Sequence, residues 1–223
     1  MIKTIIFDIG GVLALDIWEH VFLDAQVGIA DSYQLSHEEV RSFAGQLWEQ
    51  FAYQTASSEE ELRILERDYW QKMISRFSLP GSLEDLRDCV DHYIKPIDGM
   101  AALVAQLKAA DFELAICSNN VEFWFNRQKK KLPLLSHFDS NKIILSSRIG
   151  FPKASPKFEM FRAVMANINQ QKDECLFIDD RLANIQNALK FGFAALLFPH
   201  EASYGAAYLR KLLENMGLID FSK

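Results

Sequence analysis

Asp8 ends the apolar, β-branched run Thr4-Ile-Ile-Phe7 and is followed at once by Gly10-Gly11. Ser118-Asn119 close a second such run, Asp179-Asp180 close a third, and Lys153 lies in the loop Gly150-Phe-Pro-Lys-Ala-Ser-Pro156. Acidic and polar residues at the carboxyl ends of parallel strands stand where open α/β sheets place their ligands. Three carboxylates gathered in one crevice repel and desolvate one another, and a divalent hard cation with oxygen ligands is the usual remedy. A hydroxyl, an amide and a lysine beside such a cation form a cradle for a phosphoryl group. A neighbouring carboxylate can then act as nucleophile, through an aspartyl-phosphate intermediate. The chemistry suggested is metal-assisted phosphoryl transfer. Each piece alone has a blander use: Asp8 with its glycines as a turn, Ser118-Asn-Asn120 or Asp179-Asp180 as helix caps, Lys153 as a solvated loop residue. The placement of all four at strand ends carries the reading.

The elements that must position these residues follow from periodicity. Strands are expected at 4–7, 112–117, 142–145, 175–178 and 193–198, alternating with helices at 98–108, 121–131, 156–167, 182–191 and 202–216. Such alternation predicts an α/β fold, a Rossmann-like doubly wound parallel sheet with helices on both faces. Between the first strand and residue 93 the pattern is helical throughout. Val21, Phe22 and Ala25, then Phe43, Leu47 and Phe51, then Leu62, Leu65, Tyr69 and Met73 recur at helical spacing. Ser36-His-Glu-Glu39 and Ser57-Ser-Glu-Glu60 read as helix starts, and Leu83 to Tyr93 as a further helix. The expected organisation is an α/β core of residues 1–16 and 93–223 with a small helical bundle, residues 17–92, inserted after the first strand.

Hydrophobic residues make up 49% of the 223 and charged residues 24%, ordinary for a globular enzyme. A net charge of −6 offers no basic field for nucleic acid or anionic lipid, and Gln128-Lys-Lys-Lys131 reads as a solvated helix end. No apolar stretch approaches the roughly 20 residues that span a membrane. Cys89, Cys117 and Cys175 show neither disulfide nor metal-ligand spacing, which fits a reducing cytoplasm. The expected partner is a small phosphorylated molecule.

Phe7-Asp-Ile-Gly-Gly-Val-Leu13, Cys117-Ser-Asn119, the Lys153 loop and Phe177-Ile-Asp-Asp-Arg-Leu-Ala-Asn184 together resemble the four motifs of the haloacid dehalogenase-like (HAD) hydrolase superfamily. The resemblance covers essentially the whole chain. It implies Asp8 as nucleophile and Mg²⁺ ligand, the Gly10 carbonyl as a second ligand, Asp180 as a direct ligand and Asp179 as one through water. It further implies Ser118 and the Asn119 backbone on the phosphoryl oxygens, Lys153 offsetting charge beside the nucleophile, and Asn184 bracing the loop. The helical insert would be the superfamily's mobile cap.

Gly10 departs from the family pattern, because the superfamily's phosphatases usually carry there an Asp that serves as general acid and base. The Asp-x-Gly-x-Val pattern resembles the subset that includes α-glucose-1-phosphatase-like sugar phosphatases. Without that acid, better leaving groups are favoured, sugar 1-phosphates among them, unless Asp16, Glu19 or His20 supplies a proton. Three readings stay open: a Mg²⁺-dependent phosphatase, a metal-free 2-haloacid dehalogenase, and a catalytically weak protein that binds a phosphorylated ligand or a partner.

Overall fold

The computed structural model describes residues 1–199 and 205–219. Five parallel strands, β1 (Thr4–Phe7), β2 (Glu113–Ser118), β3 (Ile143–Leu145), β4 (Cys175–Asp179) and β5 (Ala194–Leu197), form one sheet in the order β3-β2-β1-β4-β5. The chain winds outward from β1 to β3, then crosses to the other side of β1 for β4 and β5. Connections therefore diverge at the β1–β4 boundary, the position at which such sheets open a crevice. Phe7 is in register with both Ile116 and Ile178, so Asp8 and Asp179 emerge level with one another, and Asp8 N–H donates to the Ile178 carbonyl at 3.0 Å.

The helices follow in order: α1 (Ile17–Leu23), α2 (Ile29–Ser32), α3 (His37–Phe51), α4 (Glu59–Phe77), α5 (Leu83–Tyr93), α6 (Met100–Ala109), α7 (Glu122–Lys131), α8 (Ser146–Ile149), α9 (Glu159–Met165), α10 (Leu182–Phe191) and α11 (Gly205–Asn215). Alternation along the strands separates two apolar layers. Ile5, Phe7, Leu114, Ile116, Leu176 and Ile178 face α6, α7 and α11, whereas Ile6, Ala115, Cys117, Cys175 and Phe177 face α9 and α10. The α/β fold with helices on both faces is the one expected.

Two local expectations are corrected. The helix after Lys153 begins at Glu159 rather than Pro156, because Pro152 to Phe158 is spent on successive turns and Phe158 sits at φ 60°. The serine capping α4 is Ser58, which accepts from Glu61 N–H at 3.2 Å, one residue later than the Ser57–Glu60 spacing suggests. The last helix is described from Gly205, and residues 202–204 of its expected span lie outside the described residues.

Helices α1 to α5 all fall between β1 and α6. Their segment leaves and rejoins the sheet through a short antiparallel stem, in which Leu15 N–H donates to Lys95 O at 3.0 Å and Ile97 N–H to Leu13 O at 3.1 Å. Their apolar faces join the layer over β1 without a break. Phe22, Tyr69 and Trp70 pack around Trp124 of α7, the Tyr69 ring 5.1 Å from Trp70 and 5.8 Å from Trp124. At its edge Arg127 reaches Glu66 at 3.3 Å and Asp91 at 3.2 Å, tying α4 and α5 to α7. Phe123, Trp124 and Phe125 are thus buried in the core. No helix among the described residues is long and apolar enough to cross a membrane.

Candidate active site

The ends of β1, β2 and β4, the Lys153 loop and helices α1, α3, α7 and α10 converge on one cavity of about 330 Å³, lined at its base by Asp8, Gly10, Ser118, Asn119, Lys153 and Asn184. Asp8 is held by the turn behind β1, its Oδ1 accepting from Ile9 N–H at 2.7 Å. Lys153 lies between two carboxylates, its Nζ 2.5 Å from Asp8 Oδ2 and 2.5 Å from Asp179 Oδ2, with only 1% of the side chain exposed. Asp179 is fully buried and also accepts from Arg181 N–H at 2.8 Å and from the Asn184 amide at 3.0 and 3.2 Å. Carboxylate oxygens of Asp8, Asp179 and Asp180 all lie within 4.8 Å of one another. This all-oxygen, hard-donor set fits a divalent cation such as Mg²⁺.

The electrostatics are those of a site short of positive charge. Burial, offset only in part by Lys153 and reinforced by Asp179 and Asp180, pushes the Asp8 carboxyl up to about 7. Burial pulls the Lys153 ammonium down, but Asp179 and then Asp8 more than compensate and hold it above its ordinary range. Cys117 is no rival nucleophile, since burial raises its thiol far above neutrality.

Several contributors are not apparent from sequence motifs. The Asn119 side chain, rather than only its backbone, shapes the site: its Oδ1 accepts from Lys153 N–H at 3.0 Å. Asn187, one turn beyond Asn184 on α10, donates to the carbonyls of Lys153 and Ser155 at 2.7 and 2.9 Å and so fixes the lysine loop. A second asparagine three residues on, in a helix with an otherwise apolar buried face, is the signal that could have found it. Ser146 Oγ bridges the insert to the sheet, donating to Ala52 O at 2.8 Å and accepting from Asn120 N–H at 3.0 Å. Asn187→Ala is expected to lose about 1–3 kcal/mol of stability, because two buried carbonyls lose their donor. Chemical denaturation of the variant measures this, and a loss under about 0.5 kcal/mol, the low end for a single hydrogen bond, would contradict it.

Of the three alternative proton sources, only Asp16 lines the cavity. It caps α1 through Trp18 N–H at 3.0 Å and is ion-paired to Arg181 at 2.8 Å. Glu19 is engaged by Arg41 at 3.2 Å and His20 by Asp24 at 3.3 Å. Arg148 pairs with Glu122 at 2.7 Å and is not part of the cavity wall. The far wall comes from the insert and α7: Ile17, Trp18, Gly45, Trp48, Glu49, Tyr53, Trp124 and Gln128. Trp48 and Trp124 meet there at a tilt of 36°, with ring centres 5.4 Å apart.

The family model for haloacid dehalogenase-like hydrolases matches residues 2–192, a span that includes every base residue of the cavity. The chain is a HAD-like hydrolase. Among relatives of this hydrolase, flavin mononucleotide hydrolase 1 of Arabidopsis thaliana, named as chloroplastic, is 30% identical over 66% of this chain and 58% of its own length. A sesquiterpene phosphatase of Aspergillus oryzae is 27% identical over 87% of this chain and 88% of its own. The magnesium-bound HAD hydrolase YfnB of Bacillus subtilis shares the fold with a TM-score of 0.65 at 18% identity, covering 96% of this chain and 99% of that one.

Proposed function

We propose that this HAD-like hydrolase is a Mg²⁺-dependent phosphatase of a small phosphorylated metabolite, acting through an aspartyl-phosphate intermediate. The observation that carries the reading is the clustering of Asp8, Asp179 and Asp180 around a single buried lysine. Three carboxylates and one ammonium leave a net negative pocket that accepts a dianionic phosphate only after a cation has been added. Asp8, Asp179, Asp180 and the Gly10 carbonyl would hold Mg²⁺, Asp179 through water; when bound, the ion neutralises charge at the phosphoryl oxygens and orients the phosphorus. The names of the two relatives, a flavin mononucleotide hydrolase and a phosphatase, also support phosphate-ester cleavage. The helical insert, residues 17–92, serves as the cap over a core of 1–16 and 93–223, keeping bulk water from the site.

In the first step Asp8 Oδ attacks phosphorus, the ester P–O bond breaks, and the departing oxygen takes its proton from water. Ser118 and the Asn119 backbone hold the phosphoryl oxygens, Lys153 offsets the charge between nucleophile and phosphate, and Asn184 keeps Asp179 in place. In the second step water attacks phosphorus, releasing inorganic phosphate and restoring Asp8. No acid branches from Gly10, and Asp16 is committed to capping α1 and to an ion pair with Arg181 at 2.8 Å. Good leaving groups, sugar 1-phosphates among them, are therefore favoured. The free thiols of Cys89, Cys117 and Cys175 suit a reducing compartment such as the cytoplasm.

Hydrolysis of p-nitrophenyl phosphate tests this directly, because its leaving group needs little protonation. Turnover is expected with Mg²⁺ and a loss of at least about tenfold in EDTA, restored by adding Mg²⁺. Chelator-resistant release of halide from a 2-haloacid, without phosphate release, would overturn the phosphatase in favour of a metal-free dehalogenase.

A further inference from the structure

The insert side of the cavity differs in chemistry from its base. Trp18, Trp48 and Tyr53 present aromatic surface there, backed by the buried Trp124, and burial followed by the Glu49 charge raises the Tyr53 hydroxyl above its ordinary value. Two polar groups on this side are engaged, the Asn120 amide donating to Gln128 Oε1 at 2.7 Å and Asp16 held by Arg181, while the indole N–H groups of Trp18 and Trp124 are buried within the protein and turn no donor to the cavity. Glu49 is exposed at the mouth. A polyol pressed against such a wall would give up water without regaining its hydrogen bonds, whereas an apolar body gains by leaving water.

Gly45 supplies an independent observation. It lies inside the 15-residue helix α3, where glycine is the least favourable residue after proline. A Cβ built on it would meet no heavy atom within 4 Å, its own helix backbone aside. No packing or backbone conformation requires a glycine here. The residue lines the cavity on the same helical face as Trp48 and Glu49, three and four positions on. Its missing side chain leaves open the space that Trp48 borders.

We propose that this wall is an apolar slot for the ring-sized body of a phosphomonoester's leaving group, a flat ring or a hydrocarbon chain, with Gly45 setting its depth; the proposal rests on the phosphatase reading. Stacking and burial of such a body against tryptophan favour it over a polyol of equal leaving-group chemistry by about tenfold to hundredfold.

The test measures kcat/KM of the Mg²⁺-loaded full chain for 2-(2-naphthyl)ethyl phosphate, octyl phosphate and glycerol 3-phosphate, all esters of primary alcohols. Acetyl phosphate, too small to reach the slot, monitors phosphoryl transfer itself. The naphthyl or the octyl ester is expected to exceed glycerol 3-phosphate at least about tenfold, and the better of the two identifies the slot as ring- or chain-selective. Gly45→Ala is expected to raise the melting temperature by about 2–4 °C, as for a glycine inside a helix with space for a Cβ, while narrowing that preference. Gly45→Leu is expected to reduce it at least about tenfold. Equal kcat/KM for all three esters, or a preference untouched by Gly45→Leu, with acetyl phosphate still hydrolysed, overturns the slot and leaves the phosphatase standing. Absence of acetyl phosphate hydrolysis with Mg²⁺ overturns the phosphatase and the slot with it.

Discussion

Replacing Asp8 with asparagine is expected to lower turnover at least about 10⁴-fold, because the attacking carboxylate is lost. The same change is expected to stabilise the metal-free protein. The amide oxygen of the asparagine can take the place of Oδ1, which accepts from Ile9 N–H, so that hydrogen bond of the turn persists while the contact of Oδ2 with Lys153 is given up. What disappears is a carboxylate that burial and its acidic neighbours push up to about 7. The sign follows from that direction. Asp8 binds its proton more tightly in the folded than in the unfolded chain, so its contribution is fully present below the unfolded value near about 4 and is lost as pH rises through about 7. Metal-free wild type should therefore lose melting temperature between about pH 5 and 8 more steeply than Asp8→Asn, by about 2–4 °C per kcal/mol relieved. Thermal unfolding in EDTA across that range decides it, and parallel pH profiles for the two proteins would refute the account.

Lys153→Met carries the largest expected loss of stability. Methionine has similar length and packs well, so the change removes a charge while leaving little void. It strands Asp8 and Asp179 in a nearly dry site with no cation between them. Removing one partner from a buried ionic cluster costs about 3–5 kcal/mol, or roughly 6–20 °C in melting temperature for a chain of this size. Two further measurements separate this cause from a simple packing defect. Adding Mg²⁺ should raise the melting temperature of Lys153→Met more than that of wild type, since a cation then serves where the ammonium did. Combining the change with Asp8→Asn should recover part of the loss, a coupling readable in a double-mutant cycle. A variant that melts within about 2 °C of wild type, less than a 1 kcal/mol effect would give, would sink the argument.

Much of the sheet is legible in the sequence because its strands are runs of branched and aromatic residues ending in polar ones. Thr4–Phe7 and Leu182–Phe191 are found where periodicity puts them, and the remaining strands deviate by a residue at one or both ends. The base residues can be read from their position after each run, since a parallel sheet in this strand order brings such ends together whatever the details of packing. The far wall is not legible. Trp48 and Trp124 recur at helical spacing, as core residues do, and periodicity cannot separate a face that meets other side chains from one that meets a cavity. Gly45 looks like a weak spot in a helix until the space beyond it is seen. Periodicity misplaces the start of α9 because proline normally opens a helix, yet Phe158 takes a left-handed conformation that no local residue type announces.

Residues 16–93 depart and return through the paired segments at Leu13–Leu15 and Lys95–Ile97, so both ends of the insert are already held side by side by backbone hydrogen bonds. Closing a loop between fixed, adjacent ends becomes only slowly more costly as the loop lengthens, about 0.6 kcal/mol for each doubling. Across generations, the wall that meets the leaving group can therefore be rewritten, lengthened or shortened while Asp8, Lys153 and Asp179 keep their places. The chemistry is inherited from the sheet, and the choice of what it acts upon is free to drift.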